Sequence, residues 1–341
     1  MLTTELSLRD RYESFKNENP KVRIRDAAKQ LNVSEAELVA TGLGNTATRL
    51  TGDFRDLMKE VPTLGQVMAL TRNDSCVHER HGVYEKVSFK DLTGLVLGED
   101  IDLRLFMQQW QFGFAVNEND RLSLQFFARN GEAVHKIYMT EHSNIEAYNQ
   151  LIDKYRDAEQ SDILQISLKP EPDAELPDAD IDVEGFQQAW LAMTDTHQFF
   201  GLLKKYQVSR TQGLRLAPKG YTRLLSLESL RNIFQAASES SLPIMIFVAS
   251  QGCIQIHTGT IERLMPTGPW FNVLDPMFNM HLREDHIHQI WVTRKPTEDG
   301  IVTGLELFDK DGNNIALIFG KRKPGIPEKT EWTQLVEYYQ S

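Results

Sequence analysis

The chain of 341 residues is about twice the length of a typical domain, which predicts two domains that each bury a core. A hydrophobic fraction of 41% and a charged fraction of 25% exclude a disordered or fibrous chain. The formal net charge of −11 disfavours nucleic acid and anionic lipid as partners, because such a surface repels phosphates.

The first residues, Met1 to Leu6, lack the basic patch and the apolar stretch of a signal peptide. The longest apolar run, residues 242–249, contains a proline and is too short to span a bilayer. Two cysteines, Cys76 and Cys253, in a chain of this length indicate a reducing compartment rather than a disulfide scaffold. The sequence therefore predicts a cytoplasmic protein without membrane insertion.

Residues 24–40 have the pattern of a helix–turn–helix, with the turn at Asn32-Val33-Ser34. A helix that enters a DNA groove needs basic residues, but the second helix carries Glu35 and Glu37. We therefore expect a structural helix pair. A DNA-associated regulator that uses this segment is a disfavoured alternative.

The chain repeats itself at an offset of 177 residues. Residues 67–87 align without a gap with residues 244–264, and residues 102–116 align with residues 279–293 at the same offset. The aligned pairs include Met68 with Met245, Cys76 with Cys253 and Gly82 with Gly259. This register predicts two tandem copies of one unit.

In each copy, helical patterns come first and alternating strand patterns follow, as in residues 253–257 and 303–308. Asn130-Gly131 and Asp311-Gly312 predict tight turns between strands. Because strands and helices do not alternate as βαβ units, the pattern predicts an α+β fold with mainly antiparallel sheets.

An acidic, proline-rich segment separates the two copies. Residues 169–184 contain three prolines and seven acidic residues, a composition typical of an extended linker that repels itself. We place an N-terminal unit at residues 1–168, the linker at residues 169–182 and a C-terminal unit at residues 183–341. The C-terminal unit is expected to carry the main ligand site.

Residues 183–206 predict a helix with an apolar face. The residues on this face are Phe186, Trp190, Met193, His197 and Phe200. A histidine on such a face is usually a core residue, and that interpretation stays open here. Gly201, four residues after His197, would leave the helix surface beside the imidazole flat enough for a planar ligand, at a cost of about 1 kcal/mol relative to alanine.

Basic residues and histidines follow this helix. The basic residues are Arg210, Arg215, Lys219 and Arg223, and the histidines are His281, His286 and His288. A basic cluster in an acidic protein favours an anionic ligand, although a solvated surface is an equal alternative. The histidines lack a further ligand at the spacing of a zinc site, so we interpret them as surface or strand residues.

Several motifs resemble those of the HemS/HmuS/ChuS/PhuS family of bacterial haemin-handling proteins. They are DTHQFFGLL at residues 195–203, DIDLRLF at 100–106, GCIQIHTG at 252–259, WFNVLDPMFNMHLRED at 270–285 and the stretch ALTRN…VHE at 69–79. The resemblance covers nearly the whole chain. Since no CxxCH attachment motif is present, it implies haem b bound without a covalent link.

The resemblance also implies a site. Haem would lie in a cleft between the helices and the sheet of the C-terminal half, with His197 as the axial ligand of the iron. Arg104, from the N-terminal half, would approach the distal side and would be the catalytic residue if the protein is an enzyme. The weaker assignments are Phe106 and Phe247 as pocket walls, Arg210 and Lys295 as partners of the propionates, and a second haem position near His78.

The function that the resemblance implies first is a carrier that accepts imported haem, sequesters it and delivers it onward for iron acquisition. A haem uptake transporter and a downstream haem oxygenase would be its partners. The alternative is an enzyme that cleaves the tetrapyrrole to release iron. That reaction would need an external electron donor, because the chain has no flavin or nicotinamide motif.

Overall fold

A computed structural model describes residues 6–169, 174–323 and 325–339. Met1 to Glu5 and residues 170–173 of the predicted linker lie outside the described residues. The chain forms two compact units. The first unit consists of Met1–Arg72, Glu79–Pro170 and Ala249–Gln255, and the second of Asn73–His78, Glu171–Val248 and Ile256–Ser341. Each unit therefore includes a short segment of the opposite half, a feature that the repeat did not predict.

Helices open and close the first part of the chain, with strands between them. The elements are α1 (Leu8–Glu18), α2 (Ile24–Leu31), α3 (Glu35–Ala40), β1 (Ala47–Leu50), α4 (Phe54–Glu60), β2 (Gly65–Arg72), β3 (Cys76–Gly82), β4 (Ser88–Lys90), β5 (Thr93–Leu97), β6 (Asp102–Phe106), β7 (Phe112–Glu118), β8 (Arg121–Phe127), β9 (Ala133–Ser143) and α5 (Ile145–Tyr155).

The later part follows a similar order. Its elements are α6 (Val183–Leu191), α7 (Gln198–Tyr206), α8 (Arg210–Arg215), β10 (Thr222–Leu224), α9 (Leu227–Glu239), β11 (Ile244–Ala249), β12 (Cys253–Gly259), β13 (Leu264–Thr267), β14 (Trp270–Leu274), β15 (Phe278–Arg283), β16 (Gln289–Thr297), β17 (Gly300–Phe308), β18 (Asn314–Gly320) and α10 (Thr330–Tyr338). Within the described ranges, no helix has the length and apolar character needed to cross a membrane.

The two units have the same strand order. In the first unit β1, β7, β8, β9 and β2 are neighbours in that order, and β4, β5 and β6 pair in sequence. In the second unit β10, β16, β17, β18 and β11 are neighbours, and β13, β14 and β15 pair in sequence. Every one of these pairs is antiparallel, which confirms the predicted α+β class.

Both predicted Asn-Gly and Asp-Gly turns connect paired strands. Gly131 lies between β8 and β9 with a φ of 74°, and Gly312 lies between β17 and β18 with a φ of 78°. Each turn follows a register shift, at Phe126/Phe127 and at Leu307/Phe308 respectively. Glycine is needed at these two positions because other residues rarely adopt a positive φ.

The helix–turn–helix pattern forms α2 and α3, but α3 is a core helix. Ser34 caps it in a capping box with Glu37, and all of its other residues are buried. Glu35 forms ion pairs with Arg72 and Lys136. Burial raises the pKa of Glu35, but the two cations outweigh this effect and lower the pKa to about 2. A helix whose side chains are buried in this way has no face left for a DNA groove.

The described end of the acidic segment is attached to α8 rather than extended. Gln212 Nε2 donates hydrogen bonds to the Leu176 carbonyl at 2.7 Å and to Asp178 Oδ1 at 2.9 Å. Arg215 Nη2 also contacts Asp178 Oδ1, at 2.9 Å. The predicted self-repulsion is therefore offset locally, because Arg215 of α8 pairs with two of the acidic side chains, Asp178 and Glu175.

A buried polar network crosses the core of the first unit. The Tyr84 hydroxyl lies 2.5 Å from His135 Nε2, and His135 Nδ1 lies 2.8 Å from Thr71 Oγ1. The Thr71 hydroxyl donates to Cys253 Sγ at 3.4 Å. Burial raises the pKa of Tyr84 well above its usual value, so the phenol stays protonated and donates to His135. Burial also lowers the pKa of His135 from 6.5 to about 3, which keeps the imidazole neutral.

This network predicts a protein that loses stability in mild acid. Unfolded His135 takes up a proton as the pH falls below 6.5, whereas folded His135 stays neutral until about pH 3, so the free energy of unfolding decreases over that interval. We expect a loss of about 2 kcal/mol between about pH 7.5 and about pH 5, measured by urea unfolding. His135→Gln should reduce this loss, and His142→Gln, at an exposed position, should not. Equal stability of the wild type at both pH values would contradict the prediction.

Candidate functional site

The segment predicted as one helix is two helices with a turn between them. α6 ends at Leu191, and α7 begins at Gln198 after His197. The Asp195 carboxylate accepts the backbone N–H of His197 at 2.8 Å, which stabilises the turn. The non-helical residues change the helical phase, so Phe199 is buried and Phe200 is exposed. The predicted apolar face of residues 183–206 was therefore wrong beyond Met193, and His197 is not a core residue.

The imidazole of His197 is presented to solvent by a carboxylate. The His197 side chain is 91% exposed, and its Nδ1 lies 2.6 Å from Asp195 Oδ1. The hydrogen bond from the His197 backbone lowers the pKa of Asp195, so the partner is ionised at neutral pH. A carboxylate on Nδ1 fixes the tautomer in which Nε2 carries a lone pair, which is the arrangement of a metal-binding histidine.

The surface next to His197 is apolar and open. Phe200, one turn along α7, is 74% exposed. Gly201 lies on the same side of the helix, and a Cβ added there would have no atom within 4 Å apart from its chain neighbours and the backbone of its own helix. A large exposed aromatic ring beside a glycine without neighbours is a surface on which a flat ligand is able to lie.

The opposite side of α7 rests on two cations. The ring of Phe199 is buried, with Lys295 Nζ 4.3 Å and the Arg210 guanidinium carbon 5.3 Å from its centroid. Both distances are those of cation–π contacts. The start of α7, and with it His197, is thus attached to the β16 strand that carries Lys295.

A buried carboxylate holds the two cations together. Glu306 Oε2 accepts a hydrogen bond from Arg210 Nε at 2.7 Å, and Glu306 Oε1 pairs with Lys295 Nζ. Burial raises the pKa of Glu306, but Arg210 and Lys295 outweigh it and lower the pKa to about 2. Burial also lowers the pKa of Lys295. The cluster of Glu306, Lys295 and Arg210, called the Glu306 cluster below, holds one net positive charge.

Arg210 lies at the N-terminus of a helix, where a negatively charged side chain is favoured over a positively charged one. It is the first residue of α8, after the N-cap Ser209, where the helix dipole favours an acidic side chain. The first residue of α3, after the N-cap Ser34, is Glu35, which follows that rule. A cation at this position of α8 is a local exception of the kind that marks functional residues.

Arg104 lies on β6 in the first unit, with its side chain 32% exposed. Its Nη1 forms an ion pair with Asp102 and donates to the Leu103 carbonyl at 3.1 Å. Phe106 is half-buried and, being two residues further along the strand, shares the face of Arg104. The guanidinium is thus oriented by its own strand, and the role of Arg104 on the distal side of haem stays a prediction.

The remaining predicted contacts lie in the second unit. Phe247 is half-buried on β11 and meets the edge of Phe319, with ring centroids 5.4 Å apart. Lys295 is buried and paired with Glu306, so a direct contact with a propionate would require its ammonium to leave that carboxylate. His78 is buried beside the ring of Phe278, at a centroid distance of 4.9 Å, and is not at the surface.

Two further histidines of this unit, His281 and His286, form hydrogen bonds with different partners. His281 Nδ1 lies 2.7 Å from Asn272 Oδ1, and His286 Nδ1 lies 3.0 Å from Ser75 Oγ. No group of three His, Cys, Asp or Glu side chains among the described residues has the geometry of a metal site.

The sequence did not predict a role for Asp195 or Glu306. Asp195 had a local signal, because an Asp side chain in a turn often accepts the backbone N–H of the residue two positions later, which here is His197. Glu306 also had a signal, since it is a charged residue among the buried side chains of an alternating strand, as in Leu305 and Leu307. Its two cationic partners were not predictable from spacing.

Known proteins resemble the chain over almost its whole length. The model of the haemin-degrading HemS.ChuX domain matches residues 32–155 and 207–339. The hemin transport protein HemS of Yersinia enterocolitica is 39% identical over 331 residues, covering 96% of this chain and 95% of that protein. Holo-PhuS, a heme-binding protein from Pseudomonas aeruginosa, is 45% identical with a TM-score of 0.95, covering 97% of this chain and 98% of the other. The heme degrading enzyme ChuS of Escherichia coli O157:H7 is 34% identical with a TM-score of 0.90 and covers 97% and 98%.

Proposed function

This chain belongs to the HemS/HmuS family of haemin-handling proteins, and from that premise we propose that it is a haem carrier. It accepts imported haem, binds one molecule of haem b without a covalent link, and delivers it onward for iron acquisition. The proposed compartment is the cytoplasm, which is consistent with two buried and unpaired cysteines. Because the family model matches two separate ranges, we also infer that the two units arose by duplication.

The observation that carries the proposal is the presentation of His197. Its Nδ1 is held by Asp195, which leaves Nε2 to coordinate the iron, and the imidazole is almost fully exposed. The exposed Phe200 ring and the open surface at Gly201 offer an apolar face to the porphyrin. An axial ligand that is already accessible suits a protein that must both take up and release its cargo.

The anionic edge of haem needs cations. Arg210 supports this part of the proposal best, because its side chain is 29% exposed and has a charge that its helix position does not favour. Phe247, Phe106 and Arg104 are proposed as further contacts on the strength of the resemblance alone. For Lys295, which the resemblance implies as a propionate partner, we propose instead that it holds Glu306, because its buried ammonium pairs with that carboxylate. Arg104 is permanently charged, so in either function it would act as a hydrogen-bond donor and not as a base.

The competing function is degradation of haem, as the name of ChuS indicates for that relative. The relative with the higher identity, 45% against 34%, is called a heme-binding protein, and this favours the carrier. A haem uptake transporter and a downstream haem oxygenase are the proposed partners of a carrier. An enzyme would need an external reductant instead.

A haemin titration of the apo-protein, followed by Soret absorbance, tests the proposal. We expect saturation at one haem per chain, because His197 combines a carboxylate on its Nδ1 with an exposed aromatic ring beside it. The haem complex is then exposed to air with a chemical reductant. A carrier retains the Soret band and transfers haem to apomyoglobin, which serves as an acceptor of known affinity.

Two results would contradict the carrier. Binding that rises without saturation would mean that haem associates with the surface and has no site. Loss of the Soret band under reductant and air, with release of iron to a ferrous chelator and with catalase present to remove free peroxide, would favour the degrading enzyme.

A further inference from the structure

We propose that Glu306 is a positioning residue that prepares Arg210 to bind a carboxylate of the ligand. The inference rests on the proposed function, since the carboxylate concerned is a propionate of haem. Glu306 does not touch the ligand in this proposal. It acts by holding one edge of the Arg210 guanidinium inside the protein.

The Nε and the two terminal nitrogens of Arg210 differ in their hydrogen bonds. Its Nε donates to Glu306 Oε2 at 2.7 Å. In the part of the chain that the structure describes, no residue accepts a hydrogen bond from its two terminal nitrogens. Because a guanidinium is planar and rigid, fixing Nε also fixes the directions of both terminal groups. These groups form the fork that binds a carboxylate with two parallel hydrogen bonds.

Glu306 is able to hold Arg210 because it is itself held. Its side chain is fully buried, and its other oxygen, Oε1, pairs with Lys295 Nζ. Lys295 is buried as well, so this pair is shielded from water and salt. The role of Lys295 in this arrangement is to secure Glu306, and the partly exposed Arg210 is the member of the Glu306 cluster that meets the ligand.

The same cluster also supports the axial ligand. Lys295 and Arg210 both contact the ring of Phe199, which lies two residues after His197. One buried carboxylate therefore orients the group proposed for the propionate and stabilises the base of the helix proposed for the iron. This arrangement relates the two contacts of haem to each other before haem arrives, which lowers the ordering cost of binding.

The first unit contains a matched cluster. Glu35 is buried and pairs with Lys136 and Arg72, so it also joins one carboxylate to one lysine and one arginine. It lies away from α7 in sequence and belongs to a unit without His197. Substitutions in this cluster are therefore a control for the general effect of removing a buried ion pair.

The test compares the affinity for haem with the affinity for haem dimethyl ester, in which both carboxylates are blocked. Discrimination is the dissociation constant of the ester divided by that of haem, so a high value means that the free carboxylates contribute to binding. We expect Arg210→Ala to lower it about tenfold, the effect of losing a charge-assisted hydrogen bond. Lys295→Met should retain most of it, because Glu306 still holds Arg210. Lys295→Met/Glu306→Leu should lose about as much as Arg210→Ala, although Arg210 is present.

Charge alone predicts the opposite order for the last two variants. The double variant leaves the cluster with the wild-type net charge of one positive unit, whereas Lys295→Met leaves it neutral. If charge decides the affinity, the double variant discriminates better than Lys295→Met, and this result would overturn the positioning role. The control variant Lys136→Met/Glu35→Leu should discriminate like the wild type, and an equal loss there would also overturn the proposal.

If the proposed haem-binding function is wrong, the same titrations give a different result from the one expected when only the positioning role is wrong. In that case the wild type binds haem and its ester equally, or binds neither with saturation, and Arg210→Ala changes nothing. If only the inference is wrong, Arg210→Ala still lowers the discrimination while the double variant does not.

Discussion

His197→Ala is expected to weaken haem binding by about 100-fold or more and to shift the Soret maximum. The substitution removes the imidazole that would coordinate the iron, and a 100-fold change corresponds to about 2.8 kcal/mol. Because His197 is 91% exposed and lies outside the core, the fold should keep its stability. Titration with haemin, run beside thermal unfolding of the apo-protein, measures both quantities.

Asp195→Asn is expected to weaken haem binding less than His197→Ala does. Asparagine keeps the size of the side chain but loses the charge that holds His197 Nδ1, so we expect a loss of affinity of about tenfold, the lower end for partners of metal ligands. His142→Ala, which removes an exposed imidazole from the first unit, should bind haem like the wild type. An unchanged spectrum of His197→Ala would refute the axial assignment.

Glu306→Leu is expected to lower the free energy of unfolding of the apo-protein by about 3–5 kcal/mol. The substitution leaves the buried ammonium of Lys295 without its counter-ion, and a buried charge without a partner is costly. Arg210 contributes less to this loss, because its partly exposed side chain is able to reach water. Urea unfolding at neutral pH measures the effect.

The double variant Lys295→Met/Glu306→Leu tests whether the unpaired ammonium of Lys295 causes the loss of stability in Glu306→Leu. It removes both buried charges and replaces them with apolar side chains of similar size, so its stability should be close to that of the wild type. If Glu306→Leu alone is as stable as the wild type, the buried pair is not the source of the stability. Glu35→Leu, in the matched cluster of the first unit, should be destabilised to a similar extent.

The fold class was predictable because its signals are local. Alternating strands, the turns at Gly131 and Gly312 and the helix pair around Asn32 are set by neighbouring residues, and the structure has them where they were expected. The exchanged segments 73–78 and 249–255 were not predictable, because a strand pattern specifies which face is buried but not which unit provides the partner.

The site was predictable in part. The motif around His197 singled out its imidazole as the candidate iron ligand, whereas helical periodicity put it on an apolar face and left a core position open. The helix ends at Leu191, the Asp195 carboxylate accepts the His197 N–H in the following turn at 2.8 Å, and a new helix then begins with Phe199 buried and Phe200 exposed. A prediction from helical periodicity assumes an unbroken helix. It therefore gives the wrong buried face after non-helical residues such as those between α6 and α7.

The sequence by itself determined the α+β class, the family and the candidate histidine, because motifs and periodicities depend on residues close together in the chain. Only the tertiary structure decided that His197 is exposed with its Nδ1 on a carboxylate, and that Arg210 pairs with Glu306, 96 residues away. Burial and charge pairing depend on neighbours in space. Composition and spacing record that the cations are present, but not that one of them, Lys295, is enclosed in the core and the other is left partly in solvent.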